Sequence, residues 1–169
     1  MGGKIFVESE KGVGSEFSFS IPYRPAGSTK AKVAILNNEH LIKNIDWSSK
    51  KCLLVDDNKD VLIYLNRILT DTGVAIITAR SGFEAIAIIK ENPDIDVVLL
   101  DMQMPEMNGI EATKEIRKIR KNLPIIAQTA FIFEDDKDII LEAGCDACLI
   151  KPIRREHLLT VMSSFVKSN

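Results

Sequence analysis

A run of apolar residues that ends in a carboxylate constrains the fold of this chain more than any other feature of its sequence. Residues 97–100 read Val-Val-Leu-Leu, and Asp101 follows them directly. A continuous apolar run of this length predicts a strand that is buried on both faces, as in a parallel sheet covered by helices. Because such a sheet places its ligands just outside the carboxyl ends of its strands, we expect Asp101 to lie at a binding edge.

The chain from residue 50 onward repeats this pattern of short apolar runs. The runs predict strands at residues 52–55, 74–78, 95–100, 124–127 and 147–150. After each run, apolar residues recur at the spacing of one helix face. Five alternations of strand and helix predict an α/β domain over residues 50–169, built on a doubly wound, five-stranded parallel sheet.

The segment before residue 50 has a different character. Alternating polar and apolar residues at 4–9 and 16–21 predict two strands of a β-hairpin within residues 1–23. An isolated hairpin is marginally stable, so we expect it to pack on other chain or to be the end of a larger domain. Residues 24–49, which contain proline, glycine and several lysines, are predicted to be a linker.

Composition excludes several classes of function. The formal net charge of -2 gives no reason to expect nucleic acid as a partner. No apolar run approaches the roughly 20 residues of a membrane helix, so no membrane contact is predicted for these residues. Three cysteines do not suggest a disulfide framework, and a cytoplasmic location is expected. Cys145 and Cys148 form a CxxC without a second pair, and they are predicted to be small buried hydrophobic residues.

Five polar residues stand at the ends of the predicted strands, where a parallel sheet gathers its functional groups. They are Asp56, Asp57, Asp101, Thr129 and Lys151. Three carboxylates brought together would repel one another and raise each other's pKa, a conflict that a divalent cation resolves. Oxygen ligands without histidine or cysteine favour Mg2+ or Mn2+ over zinc.

The charges of this predicted site indicate phosphoryl chemistry. Three carboxylates, one divalent cation and Lys151 sum to zero, which leaves a neutral site for an incoming phosphoryl group. Phosphoryl transfer needs positioning and charge neutralisation more than covalent help from the protein. We therefore predict that Asp101 is the nucleophile and that Lys151 and the Thr129 hydroxyl each hold a phosphoryl oxygen.

The second half of the chain resembles a known family, the response-regulator receiver domain. The motifs that carry the resemblance are residues 54–58, residues 100–105 with Gly109, residues 128–130 and residues 149–152. The resemblance covers about residues 50–167 and implies a flavodoxin-like, CheY-like fold. It implies that Asp101 is phosphorylated, and that Mg2+ is held by Asp57, Asp101 and the backbone carbonyl of Gln103, and by Asp56 through water. The Lys151–Pro152 peptide bond is left open between cis and trans.

A second, shorter resemblance concerns the N-terminal segment. Residues 2–9, 12–17 and 21–22 resemble the last two strands of the histidine-kinase ATP-binding domain, whose asparagine-bearing helix and ATP lid are absent from this sequence. Together the two resemblances imply a receiver at the C-terminus of a hybrid sensor histidine kinase. Whether the full-length protein is anchored in a membrane is left open. The phosphoryl group would come from a phosphohistidine of the same chain or of a partner, and would pass to water or to a histidine phosphotransfer protein.

One residue departs from a common pattern of this family. Cys148 stands three residues before Lys151, where receivers that drive an output often carry an aromatic residue whose rotation reports phosphorylation. We therefore predict a receiver that passes its phosphoryl group onward or signals through another surface.

Three alternative functions were weighed against the same residues. A phosphatase of the haloacid dehalogenase type requires an aspartate at the position of Gln103. A flavodoxin-like cofactor binder requires a Ser/Thr/Gly-rich phosphate loop where Asp56 and Asp57 stand. A stand-alone receiver that signals by protein–protein contact, with or without phosphorylation, is the third, and the complete set of five polar residues argues against the unphosphorylated form.

Overall fold

The structure of this protein is a computed structural model that describes residues 4–10, 12, 14–20, 45–130 and 134–167. The chain divides into two compact units, residues 1–36 and residues 37–169. Most of the predicted linker, residues 24–44, lies outside the described residues. Within the part of the chain that is described, no helix is long and apolar enough to span a bilayer.

The N-terminal unit contains the predicted hairpin. Strands β1 (Lys4–Glu10) and β2 (Gly14–Ser20) pair antiparallel, with Ile5 opposite Phe19 and Val7 opposite Phe17. The side chains of Phe17 and Phe19 are 74% and 73% exposed. The hairpin is therefore confirmed as a pair of strands, and its origin in a kinase domain stays a prediction.

The second unit is built on a five-stranded parallel sheet in the order β4-β3-β5-β6-β7. Its strands are β3 (Lys51–Val55), β4 (Ala75–Ala79), β5 (Val97–Asp101), β6 (Ile125–Thr129) and β7 (Ala147–Ile150). The helices that alternate with them are α1 (Lys59–Thr70), α2 (Gly82–Glu91), α3 (Gly109–Ile119), α4 (Glu134–Glu142) and α5 (Arg155–Ser163). The predicted doubly wound α/β fold is confirmed, and the order reverses between β3 and β5, where ligands of such sheets bind.

Each face of the sheet carries its own hydrophobic core. Along β5, Leu99 packs with residues of α1 and α5, whereas Leu100 packs with residues of α2 and α3. All five residues of β5 are buried, as its uninterrupted apolar run predicts. Trp47, which precedes β3, is fully buried in the first of these cores, and its backbone N–H donates to the carbonyl of Thr72 at 2.7 Å.

Two predicted strand boundaries differ from the structure in a way that matters for function. Asp101 and Thr129 were expected to follow their strands, but they are the last residues of β5 and β6. The ladder continues through them because the backbone N–H of Met102 donates to the carbonyl of Gln128 at 2.9 Å. The N–H of Lys151 donates to the carbonyl of Thr129 at 2.8 Å. The backbone at both strand ends is thus held in the sheet by hydrogen bonds.

The cysteines behave as buried hydrophobic residues among the described part of the chain. Cys52 and Cys145 are buried, Cys148 is partly buried, and all three are free thiols. Burial raises the pKa of Cys52 and Cys145, which keeps both thiols protonated and unreactive. The Cys145 thiol also lies 3.4 Å from the hydroxyl of Thr113.

The loop between β5 and α3 is closed against the sheet at Gly109, the first residue of α3. Its N–H donates to the carbonyl of Met102 at 3.1 Å. A Cβ atom at Gly109 would lie 2.7 Å from the Cα of Met102 and closer still to the carbonyl oxygen of Asp101. Two of the three nearest atoms are backbone atoms that cannot turn away, so only glycine fits this approach.

We predict that Gly109→Ala lowers the free energy of unfolding by about 2–3 kcal/mol, because the added methyl group must push the backbone of β5 away. Gly82→Ala is the matched control, since Gly82 also begins a helix and its added Cβ would meet mainly the flexible side chain of Met107 at 2.8 Å. Urea unfolding measures both variants. Equal losses of stability would contradict the role of the close approach at Gly109.

Candidate functional site

Three aspartates meet at the carboxyl edge of the sheet. Val55 lies opposite Leu100 in the parallel ladder, so the residues that follow them, Asp56 and Asp101, come to the same edge of neighbouring strands. One carboxylate oxygen from each of Asp56, Asp57 and Asp101 lies within 4.8 Å of the other two. Asp56 and Asp101 are 1% and 4% exposed, whereas Asp57 faces solvent. The predicted acidic cluster therefore exists, with two buried carboxylates and one exposed carboxylate.

Lys151 reaches this cluster from the end of β7, the edge strand two positions away from β5. Its ammonium lies 2.9 Å from Oδ2 of Asp56 and 3.0 Å from Oδ2 of Asp101. The residue follows β7, so its side chain crosses β6 to reach the ends of β5 and β3. A single ammonium thus bridges the two buried carboxylates.

The remaining oxygens of the buried pair accept hydrogen bonds from the backbone. The N–H of Asn58 donates to Oδ1 of Asp56 at 2.9 Å, and the N–H of Gln103 donates to Oδ1 of Asp101 at 3.2 Å. All four oxygens of Asp56 and Asp101 therefore have a partner. These bonds also fix the loops after β3 and β5, which carry further predicted site residues.

Burial and charge act in opposite directions on the ionisable groups of the site. Burial raises the pKa of Asp101, although hydrogen bonds from Lys151 and Gln103 pull it down and the nearby charge of Asp56 raises it further. Burial alone would lower the pKa of Lys151, but its hydrogen bonds to Asp56 and Asp101 outweigh that effect and leave the pKa raised. The site therefore holds a firmly protonated lysine beside a carboxylate that is costly to keep charged.

Thr129 lies at the same edge as the acidic cluster. It is 3% exposed and ends β6, the strand between Asp101 and Lys151. The peptide bond between Lys151 and Pro152 is cis. The contact of the Thr129 hydroxyl with a phosphoryl group stays a prediction.

The loop that carries Gln103 is firmly attached on both sides. Met102 and Met104, the residues on either side of Gln103, have buried side chains. At its end Asn108 caps α3, and the Glu111 side chain accepts in return from the Asn108 backbone N–H. Within the loop Glu106 adopts a left-handed conformation with φ of 66°, which is uncommon for a residue with a Cβ. The Gln103 carbonyl as a metal ligand stays a prediction.

The donor set fits a small, hard divalent cation. The groups that converge are carboxylate oxygens, which Mg2+ prefers, and the cluster contains neither thiolate nor imidazole. A dication would also compensate the repulsion between two buried carboxylates, which Lys151 alone compensates only in part.

One residue of the site was missed at the level of sequence. Gln128, the residue before Thr129, is completely buried and lies opposite Asp101 in the ladder between β5 and β6. Neither its amide nitrogen nor its amide oxygen has a hydrogen-bond partner among the described residues. The sequence does contain a sign of this residue, because the polar Gln128 directly continues the apolar run of residues 125–127.

A parallel sheet of this order with an acidic cluster and a lysine at its carboxyl edge defines the CheY-like receiver class. Comparison with known families agrees, since residues 52–163 match the response regulator receiver domain. The chain belongs to this family and is a phosphoacceptor receiver domain of a two-component system. Receiver domains bind Mg2+ at an acidic pocket, and the three aspartates form such a cluster here.

Curated relatives differ in how much of their length this chain spans. It is 33% identical over 159 residues to the autoinducer 2 sensor kinase/phosphatase LuxQ of Vibrio parahaemolyticus, covering 92% of this chain and 18% of LuxQ. It is 38% identical over 117 residues to a homolog of the transcriptional regulatory protein CpxR from Haemophilus influenzae, 69% of this chain and 50% of that protein. The response regulator DivK of Brucella ovis is 31% identical over 120 residues, 70% of this chain and 97% of DivK.

Solved structures show the same fold. The CheX–CheY–BeF3–Mg2+ complex from Borrelia burgdorferi contains a chain that is 37% identical, with a TM-score of 0.66 and coverage of 70% of this chain and 90% of that chain. The co-crystal structure of the Saccharomyces cerevisiae histidine phosphotransfer protein Ypd1 with the receiver domain of Ssk1 matches at 29% identity and a TM-score of 0.65. That match covers 69% of this chain and 88% of the other.

We predict that Asp101→Asn raises the free energy of unfolding at neutral pH in buffer free of divalent cations. Burial disfavours the charged carboxylate of Asp101 in the folded state, and asparagine removes that charge. The wild type is itself protonated at low pH, so the advantage of the variant should shrink as pH falls through the raised pKa of Asp101. Urea unfolding between neutral and acidic pH measures the difference.

Asp57→Asn is the matched control, since this neighbouring carboxylate is exposed. Its gain in stability should be smaller than that of Asp101→Asn, because an exposed charge interacts with the cluster through solvent. An advantage of Asp101→Asn that grew toward low pH would contradict the assigned direction of the shift.

Proposed function

We propose that Asp101 of this domain accepts a phosphoryl group from a phosphohistidine, in a reaction that depends on Mg2+. The observation that carries the proposal is the buried carboxylate of Asp101, held at 3.0 Å from the ammonium of Lys151 within a cluster of three aspartates. The acidic cluster fits Mg2+, and the related CheY structure from Borrelia burgdorferi contains BeF3 and Mg2+.

The chain's own residues account for the transfer step. A carboxylate oxygen of Asp101 attacks the phosphorus atom, the P–N bond breaks, and the donor imidazole leaves with the bonding electron pair. Lys151 and the Thr129 hydroxyl hold oxygens of the phosphoryl group as it moves. Bound Mg2+ supplies charge neutralisation at those oxygens. Asp56, Asp57 and the Gln103 carbonyl are the residues that would hold it together with Asp101.

Incubation with acetyl phosphate and Mg2+ tests this function directly. We expect the intact mass of the wild type to increase by one phosphoryl group, and the increase to disappear in Asp101→Asn because the attacking oxygen is lost. Removal of Mg2+ with EDTA should also abolish it. Intact mass spectrometry over a time course measures all three.

Asp94→Asn is the control variant for this experiment. Asp94 is an exposed aspartate ahead of β5, at the opposite end of the strand from Asp101, and it pairs with Lys51. It should be phosphorylated at the wild-type rate. Unmodified wild type, or equal modification of wild type and Asp101→Asn, would overturn the assignment.

We propose further that the chain is part of a hybrid sensor histidine kinase. The match to LuxQ covers 92% of the chain, so it extends beyond residues 52–163, which match the receiver family. LuxQ is named a sensor kinase/phosphatase, and a match of this length reaches into the segment before residue 50. A cytoplasmic location of the receiver is part of this proposal.

The donor and acceptor of the phosphoryl group are proposed to dock beside Lys151. A mostly apolar pocket of about 280 Å³ lies there between α1 and the loop after β7, lined by Val61, Tyr64, Leu65, Lys151, Pro152 and Ile153. Tyr64 is 47% exposed, and its hydroxyl donates to the carbonyl of Ile153 at 2.8 Å. A protein that carries phosphohistidine must cover this edge to reach Asp101. The Ypd1–Ssk1 complex shows that a receiver of this fold binds a histidine phosphotransfer protein.

Cys148 supports onward transfer as the output. It occupies the position on β7 where many receivers carry an aromatic switch residue, and it packs toward the core shared by α2 and α3. Without an aromatic ring at this position, the signal is proposed to leave the domain as a phosphoryl group.

We predict that Tyr64→Glu slows phosphoryl transfer from a histidine phosphotransfer protein of the same organism about tenfold, since an apolar docking contact is lost. Phosphorylation by acetyl phosphate, which needs no docking surface, should be unchanged. Ile139→Glu on α4 is the control, because Ile139 is similarly exposed at 51% but lies on another helix. Radiolabelled transfer assays compare the three proteins, and equal slowing by both variants would contradict docking at α1.

A further inference from the structure

Gln128 is the one fully buried side chain of the described site that satisfies no hydrogen bond through its amide group. Its exposure is 0%, and both its amide nitrogen and its amide oxygen lack partners among the described residues. An unpaired buried amide destabilises a fold, and an apolar residue of the same shape would avoid the penalty. The residue therefore calls for a function other than packing.

The sheet places Gln128 next to the phosphoacceptor. It is the ladder partner of Asp101 on β5 and of Leu149 on β7. Side chains alternate along a strand, so Gln128 shares the face of Ile126, and Asp101 shares the face of Leu99, which belongs to the same core. Neighbouring strands lie about 4.8 Å apart, so the two side chains are adjacent in one row.

Lys151 must pass this row to reach its carboxylates. It follows Leu149 by two residues and therefore starts on the same face of the sheet. Its ammonium ends 3.0 Å from Asp101, on the other side of β6. In the ladder register Gln128 lies opposite Leu149, so the Lys151 side chain crosses β6 just beyond Gln128.

Cation binding changes the hydrogen bonds available to Lys151. All four oxygens of Asp56 and Asp101 already have partners, and Lys151 occupies one oxygen of each residue. A divalent cation in the cluster competes with the ammonium for these oxygens and repels it. The displaced ammonium needs another acceptor, and the Gln128 amide oxygen is an unpaired neutral acceptor on the residue opposite Asp101 in the ladder.

We propose that Gln128 is a positioning residue for Lys151, whose ammonium it accepts through its amide oxygen when a divalent cation occupies the acidic cluster. This inference rests on the proposed Mg2+ site. It explains why an unpaired amide lies beside Asp101. It also gives Lys151 a fixed position from which to meet an incoming phosphoryl oxygen.

Gln128→Met tests the proposal, since methionine keeps the length of the side chain without its polar atoms. We expect urea unfolding without metal to show a variant at least as stable as the wild type, because an unpaired amide has been removed. We expect its Mg2+ affinity to fall about fivefold, as one hydrogen bond of the loaded state is lost. Mg2+ titration followed through the backbone NMR signals of Asn58 and Gln103 measures the affinity.

The same substitution in a Lys151→Met background isolates the pair. With the ammonium absent, Gln128→Met should leave Mg2+ affinity unchanged, as expected for two residues that act through one contact. Ile126→Met is the matched control on the same strand and face, and its Mg2+ affinity should equal that of the wild type. If Gln128→Met fails to fold, Gln128→Leu replaces it in both backgrounds.

Each remaining outcome counts against a defined part of the argument. Equal Mg2+ affinity of wild type and Gln128→Met, or an equal loss in both backgrounds, would overturn the role of Gln128. If Gln128→Met and Gln128→Leu are both clearly less stable than the wild type without metal, the proposal is also overturned, because the amide would then be paired without metal. Absence of Mg2+ binding by the wild type would instead count against the proposed function.

Discussion

The arrangement of this domain's functional edge depends on one ammonium that bridges two buried carboxylates. Lys151 lies 2.9 Å from Asp56 and 3.0 Å from Asp101, and these residues come from three different strand ends. The bridge forms only if β7, β6, β5 and β3 lie side by side in this order. Two buried carboxylates without it would be strongly unfavourable, so the bridge and the sheet order support one another.

The bridge compensates the buried charge without removing its cost. Burial still raises the pKa of Asp101, and the amide of Gln128 remains unpaired beside it. Sites that hold groups in unfavourable surroundings give up stability for a reaction or a ligand that relieves them. The acidic edge has this character, whereas the two hydrophobic cores on either face of the sheet show the ordinary packing of a stable α/β domain.

Much of the fold could be predicted because it depends on local patterns. Uninterrupted apolar runs indicated five buried strands, and β5 is buried along its whole length. Asp101 and Thr129 were placed just outside their strands instead of at their last residues, since strand ends depend on hydrogen bonds to a neighbouring strand. Gln128 was missed for a related reason. Gln128 matters because it lies opposite Asp101 in the sheet, and the hydrophobic pattern along the chain does not reveal this pairing.

By itself the sequence determined the order of strands and helices and the polar residue at each strand end, because both follow from local hydrophobic periodicity. The tertiary structure alone decided that Asp56 and Asp101 are buried while Asp57 is exposed. It also decided that Lys151 pairs with a carboxylate 95 residues away, and that Gln128 lies unpaired next to Asp101. These features arise from contacts between strands distant in sequence, whose register and burial are fixed only when the sheet assembles.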